Sequence, residues 1–339
     1  MDGRSPLATG DRDLAPELAR LAGRRWRRVA AASVDLHAAV PVRLAFVNAD
    51  AETRFELGSV TKALTGMLLA CSVERAELTM DSTVGESLPS LADSPIATVS
   101  VRDLCTHTSG LPRLARGPHT AVRAYQFALL GLDPYRGASA SEVIAVAGRQ
   151  DLRNQGQPVY SNLGAALLGQ MLAERGGTDF ASLLRTRIFT PLGMPGAAVA
   201  TRRQKAAPGW SGGGLPRMPW VMGGYAPAGG VIATIEDLAT LAVALLTKAA
   251  PGIASMDAIP GIKTSSPARR SGMFWIIDPL PLGSGSMTWH NGATGGYSAF
   301  FALFPETQRA VVALANISRP ADIQRVALGL AASAPSISS

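Results

Sequence analysis

Apolar residues recur at helical spacing in the stretch that follows Ser59, VTKALTGMLLACSVERAEL, and again in LGAALLGQMLAERGG, FASLLRTRIFTPLGM and TIEDLATLAVALLTKA. Side chains three and four positions apart share one face of a helix, so each stretch predicts a helix. Residues 13–22, DLAPELARLA, predict a short amphipathic helix, and residues 321–332 predict a closing one. Strand character appears at both ends of the chain. Residues 29–36 and 42–47 are rich in Val and Ala, with Pro41 tolerable where it opens the second segment. Near the other end, GMFWIID, MTWHNG, YSAFFALFPE and RAVVALANIS alternate with period two or carry β-branched residues. Strands separated by such short turns predict an antiparallel sheet.

These elements predict an α/β (α+β) fold, with an antiparallel sheet flanked by helices and built from both chain ends. Residues 1–80 and 205–335 form its α/β part, residues 81–204 a mostly helical insertion, and residues 336–339 a loose tail. The 339 residues suffice for one large domain or two intimately joined ones.

Composition narrows the partners. With 47% hydrophobic and 17% charged residues the chain reads as globular. The net charge of +7 invites a nucleic-acid reading, but the basic groups are short and scattered, as in Arg24, Arg25, Arg27 and Arg28, or Arg202, Arg203 and Lys205, which favours solvated surface. No apolar run reaches the ~18 residues of a membrane span, and the N-terminal sequence lacks the apolar core of a signal peptide, so no membrane role and a cytoplasmic location are expected. Cys71 and Cys105 lack metal-site spacing and read as reduced, buried thiols; no metal or cofactor is expected.

The candidate chemistry starts at FELGSVTKAL. Ser59 and Lys62 are the only Ser-x-x-Lys pair in a chain with four lysines. A serine hydroxyl needs a neighbouring base or cation to become a nucleophile, and a lysine whose ammonium is disfavoured by burial supplies one. By itself the pair equally describes a serine capping a helix with an exposed lysine one turn on. Two further tripeptides follow in order: YSN, with Tyr160 and Asn162, and HNG, with His290, Asn291 and Gly292, each the only match to its pattern.

Serine, then Tyr-x-Asn, then His-x-Gly is the order of the active-site signatures of β-lactamases and penicillin-binding proteins. With DLCTHTSGLP, PLGM, PAGGVIATIEDLATL and HNGATGGYSAFFALFPE alongside, the chain resembles the class C β-lactamase-like serine hydrolases, which include peptidases, esterases and acyltransferases. The resemblance implies a β-lactamase/transpeptidase-like fold with Ser59 as nucleophile, Lys62 and Tyr160 as the proton-handling pair, and His290 beside them. It implies an oxyanion hole from the backbone N–H groups of Ser59 and Ala293, and substrate contacts from Asn162, Asn291, Gly292 and Tyr297. A general-base role for Tyr160 requires nearby positive charge to lower its pKa from about 10. His290 is expected to titrate near neutrality and make activity pH-sensitive.

His107 reads as a loop-fixing residue, while Trp210, Trp220, Tyr225 and Trp289 are offered as walls of an apolar acyl site. The implied substrate is a small-molecule ester or amide, with water, an amine or an alcohol as acyl acceptor. β-Lactamase or D,D-peptidase activity is the alternative, disfavoured by His where a lysine would meet a β-lactam carboxylate. A catalytically silent binding member is the reading from another class. A rival nucleophile, Ser211 in GWSGG followed by Asp237 and His290, would need a strand before it and a helix after it.

Overall fold

The computed structural model describes residues 7–23, 26–204, 206 and 208–333, so Arg24, Arg25, Lys205 and the expected tail at 336–339 lie outside the described residues. The main sheet has eight strands, in the order Ala8–Gly10, Val42–Val47, Val29–Asp35, Arg309–Ala315, Ser298–Phe304, Ser286–Ala293, Ile276–Pro279 and Arg270–Ser271. Every neighbouring pair is antiparallel. The two chain ends meet at its centre, where Val29 lies opposite Ala315 and Asp35 opposite Arg309. The sheet is therefore built from both ends of the chain, as the alternating patterns predict.

Both faces of this sheet are buried. Along Ser298–Phe304, Phe300 and Ala302 enter one core while Ala299, Phe301 and Leu303 enter the other, the direct consequence of the pleat. The helices Leu14–Ala22 and Pro320–Ser333 cover the first face. The larger core lies on the second face, around the helices Thr61–Glu74 and Asn162–Arg175. In these two helices every residue from Thr61 to Ser72 and from Leu163 to Leu172 is buried, the pattern of a helix with no solvent face. Cys71 and Cys105 are buried free thiols.

Two short strands escape sequence patterning because two or three residues cannot show alternation. Ala8–Gly10 adds an edge to the main sheet. Ala198–Val199, in a stretch that reads as helix and loop, joins Val231–Ala233 and Phe55–Glu56 in a separate three-stranded sheet. That small sheet anchors the backbone immediately before Ser59.

Candidate active site

Ser59 sits in a single 3-10 turn, Gly58–Val60, that runs into the Thr61–Glu74 helix, and its hydroxyl caps nothing. The turn packs directly on the Ser286–Ala293 strand. Gly58 has φ +50, and a Cβ there would lie 2.7 Å from the backbone nitrogen of Ala293. At Gly292 a Cβ would run into the Leu57 carbonyl and reach within 3.0 Å of the Ser59 nitrogen. Glycine at both positions thus lets the backbone of Ser59 approach that of Ala293, with no side chain between them.

Lys62 lies one turn on from Ser59 and is fully buried. Its Nζ donates to Asn162 Oδ1 (2.8 Å) and to the Ala228 carbonyl (2.6 Å), and stands 3.2 Å from Ser59 Oγ. Burial, reinforced by the Arg113 guanidinium, holds its pKa well below the usual lysine value. As drawn, Nζ donates to all three oxygens; as the free amine, its two N–H groups serve Asn162 and Ala228 and its lone pair accepts from the Ser59 hydroxyl.

Tyr160 precedes the Asn162–Arg175 helix, whose N-cap, Ser161, accepts from Gly164 N and donates to the Pro112 carbonyl (2.7 Å). The cap fixes Tyr160 and Asn162 on either side of it. Tyr160 donates its phenolic proton to Ser59 Oγ at 2.6 Å. The expected lowering of its pKa is not found: burial pushes it up to about 12, more than the Ser59 hydrogen bond and Arg113 pull it down. His107, in a left-handed conformation, accepts from Ser161 N through Nδ1 (3.2 Å) and packs 4.6 Å from the Tyr160 ring, so it braces this turn.

His290 lies on the site face of its strand, opposite Phe301. Its Nδ1 donates to the Asn291 carbonyl (2.6 Å), and burial, with Lys62 nearby, lowers its pKa to about 4. The imidazole is therefore neutral across the physiological range, contrary to the expected titration near neutrality.

Period two also places two expected residues elsewhere. Asn291 pairs with Phe300, and Trp289 packs with Phe300, on the sheet face opposite the site. Trp210 lies under the Arg27 guanidinium, 3.4 Å from the ring centre, and Tyr297 is 1% exposed with its ring edge-on to Phe55. None of these four faces the Ser59 opening. Trp220 and Tyr225 do join a wall, but with two aromatics the sequence reading left unassigned. Tyr135 accepts from Asn162 Nδ2 (3.1 Å), Trp220 lies 5.3 Å from Tyr135, and Phe127 lies 5.9 Å from Trp220. Phe127 and Trp220 press on Gly295, just beyond Ala293. Both come from stretches that carry no motif, so only tertiary contact identifies them.

Ser211 occupies the turn between the two-residue strands Gly209–Trp210 and Pro216–Arg217 and accepts from Leu215 N (3.0 Å). No helix follows it. Asp237 meanwhile closes the capping box of the Ile235–Leu246 helix, which removes the acidic partner of the rival elbow.

A further buried carboxyl lies three residues before the serine. Glu56 accepts from Trp220 N (2.7 Å), and burial raises its pKa to about 7, more than the Thr294 hydroxyl and the Trp220 N–H pull it down. Raised above the ordinary carboxyl value of 4.5, it favours the folded state while protonated, and that stability is lost as pH rises from 4.5 through 7. The loss amounts to about 3 kcal/mol by linkage. Glu56→Gln, which stays neutral, is expected to gain this much over the native chain between pH 4.5 and 8 in denaturant titrations; a pH-independent difference would contradict the assignment.

Comparison with known proteins bears on the fold and the family. Solved structures with the same fold include a class C β-lactamase from Rhodobacter sphaeroides, with a TM-score of 0.78 at 19% identity, covering 95% of this chain and 99% of that one. A D-stereospecific amidohydrolase from Streptomyces sp. superimposes with a TM-score of 0.72 at 20% identity, covering 89% of this chain and 92% of that one. Among curated sequences, a penicillin-binding protein 4 of Amycolatopsis lactamdurans is 33% identical over 41% of this chain and 34% of its own, and a β-lactamase of Escherichia coli is 23% identical over 79% and 77%. The chain spans about a third of the length of the first relatives it matches. The Beta-lactamase family profile matches residues 18–335, and the chain belongs to that family.

Proposed function

We propose that this protein is a serine hydrolase or acyltransferase that forms an acyl-enzyme on Ser59 from a small-molecule ester or amide. The observation that carries the reading is Ser59 Oγ placed between Lys62 Nζ at 3.2 Å and Tyr160 OH at 2.6 Å.

Neutral Lys62 takes the Ser59 proton as Oγ bonds to the substrate carbonyl carbon, and the backbone N–H groups of Ser59 and Ala293 receive the developing oxyanion. Tyr160 then gives its proton to the leaving oxygen or nitrogen as that bond breaks. The phenolate forms 4.8 Å, measured to its ring centre, from a lysine that now carries the charge, which offsets the unfavourable burial. Water, an amine or an alcohol attacks the acyl carbon by the same steps in reverse. Phe127, Tyr135 and Trp220 supply an apolar wall for the acyl group, which favours aromatic or aliphatic acyl substrates. Several relatives are named as β-lactamases or penicillin-binding proteins; His290, neutral with a pKa of about 4, stands where a lysine would meet a β-lactam carboxylate, which favours the ester or amide reading.

The test is to weigh the intact chain after exposure to a fluorophosphonate and to map the adduct. A single adduct on the peptide carrying Ser59 is expected, and an adduct confined to any other serine would sink the assignment. Adding amines to a turning-over phenylacetate ester separates the two acceptors, since amide product marks transfer and acid alone marks hydrolysis.

A further inference from the structure

Of the nine large hydrophobic side chains exposed among the described residues, six lie together: Val122, Tyr125, Leu129 and Leu130 on the Pro118–Leu130 helix, and Leu215 and Met218 beside it. Met218 N donates to the Gly131 carbonyl (3.3 Å) and Arg217 Nη1 to the Phe127 carbonyl (3.3 Å), which ties the two segments into one surface. The helix is apolar on two sides. Phe127 faces inward onto Trp220, while the exposed side chains stand 52–67% open, where a solvent-facing helix would carry polar residues. The inward side is the aromatic wall that runs through Trp220 and Tyr135 to Asn162, so the exposed face is continuous with the rim of the Ser59 site.

The charges on this surface choose its occupant. Arg123 and Arg136 line, with His119, Val122 and Gln126, a groove of about 360 Å³ along the helix; Arg116 stands exposed two residues before it, and Arg217 packs over the Phe127 ring. Among the described residues, Arg123 is the only one of these arginines in an ion pair, with Glu142 at 3.4 Å; Asp133 is buried and bound to backbone N–H groups. A second copy docked here would set these arginines against one another. An anionic lipid surface would neutralise them and take up the scattered apolar side chains without needing a complementary shape.

We propose that this face seats the protein on an anionic lipid–water interface, so that amphiphilic substrates enter the Ser59 site from the lipid side. The delivery of substrate rests on the proposed function above; the lipid contact does not. No helix among the described residues is long and apolar enough to cross a membrane, and a protein lying on an interface needs none.

The experiment is co-sedimentation of the full chain with vesicles of phosphatidylglycerol and phosphatidylcholine, and with phosphatidylcholine alone. The native chain should pellet with the anionic vesicles. The combined variant Leu129→Ser, Leu130→Ser, Met218→Ser should lose that binding by more than about tenfold, while its Ser59 still reacts with a soluble fluorophosphonate at the native rate, which shows that it is folded. Arg116→Glu with Arg136→Glu should abolish the preference for anionic vesicles. The proposal is overturned if the native chain stays in solution with both vesicle types, if the triple serine variant pellets as well as the native chain, or if the same substitutions instead dissolve a dimer. Vesicle binding with no Ser59 adduct would leave the lipid contact standing and remove the proposed chemistry.

Discussion

Ser59→Ala is expected to lower kcat/KM by about four to six orders of magnitude, and Lys62→Ala to come close to the same loss by itself, because the two groups act as one unit. Removing the amine leaves the Ser59 hydroxyl with no acceptor for its proton, and Tyr160 is already committed as a donor to the same oxygen. The double variant should therefore be little worse than either single one. The pH profile carries the second half of this expectation. With its pKa held well below 10.5, Lys62 works as the free amine, so kcat/KM should rise with pH through that lowered value and then level off. The same shift makes the folded state gain stability as pH climbs from the lowered value to 10.5, since the unfolded chain binds the proton more tightly. His290, at about 4, should add no limb near neutrality. Measuring kcat/KM against pH for the native chain and for His290→Gln checks this directly: disappearance of a neutral limb in the variant would return His290 to the role of a titrating switch.

Tyr160→Phe is expected to cost about 10²–10⁴-fold, unevenly across substrates. A phenol whose pKa stands at about 12 is a poor base at neutral pH but an adequate donor to a strongly basic leaving group. The loss should thus be large for amides and alkyl esters, whose leaving groups need a proton, and small for p-nitrophenyl esters, whose leaving group departs as a stable anion. Equal losses for both substrates would mean that Tyr160 activates the serine, and the roles assigned to Lys62 and Tyr160 would have to be exchanged. Pre-steady-state bursts with the p-nitrophenyl ester separate acylation from deacylation in the same measurement.

Much of the site was legible from the chain because each motif is local. Ser59 and Lys62 are one turn apart, the Ser161 cap holds Tyr160 and Asn162 within three positions, and a strand's period of two sets His290 and Gly292 on one face. The same period places Asn291, for which the resemblance implies a substrate contact, on the opposite face, because adjacent residues on a strand point to opposite sides. The sheet was legible for a similar reason, since the strands at both ends carry long alternating or β-branched runs. Ala8–Gly10 and Ala198–Val199 are too short to carry such a signal.

Other features have no sequence signature. The Ala228 carbonyl that holds Lys62 lies 166 positions away from it, within a stretch whose resemblance to the family assigned it no task. Phe127, Tyr135 and Trp220 become neighbours only when the Pro118–Leu130 helix packs against the end of the Ser286–Ala293 strand. The protonation states followed the same rule. Sequence alone determined which groups are present, and in what order: a serine, a lysine one turn away, a tyrosine and a histidine. Tertiary structure decided which of them are charged and where they point, because pKa depends on burial and on distant neighbours. Burial holds the pKa of Lys62 well below the usual lysine value, that of His290 at about 4 and that of Tyr160 at about 12, and folding alone brings Lys62 and Tyr160, from motifs about a hundred positions apart in the chain, to one oxygen atom.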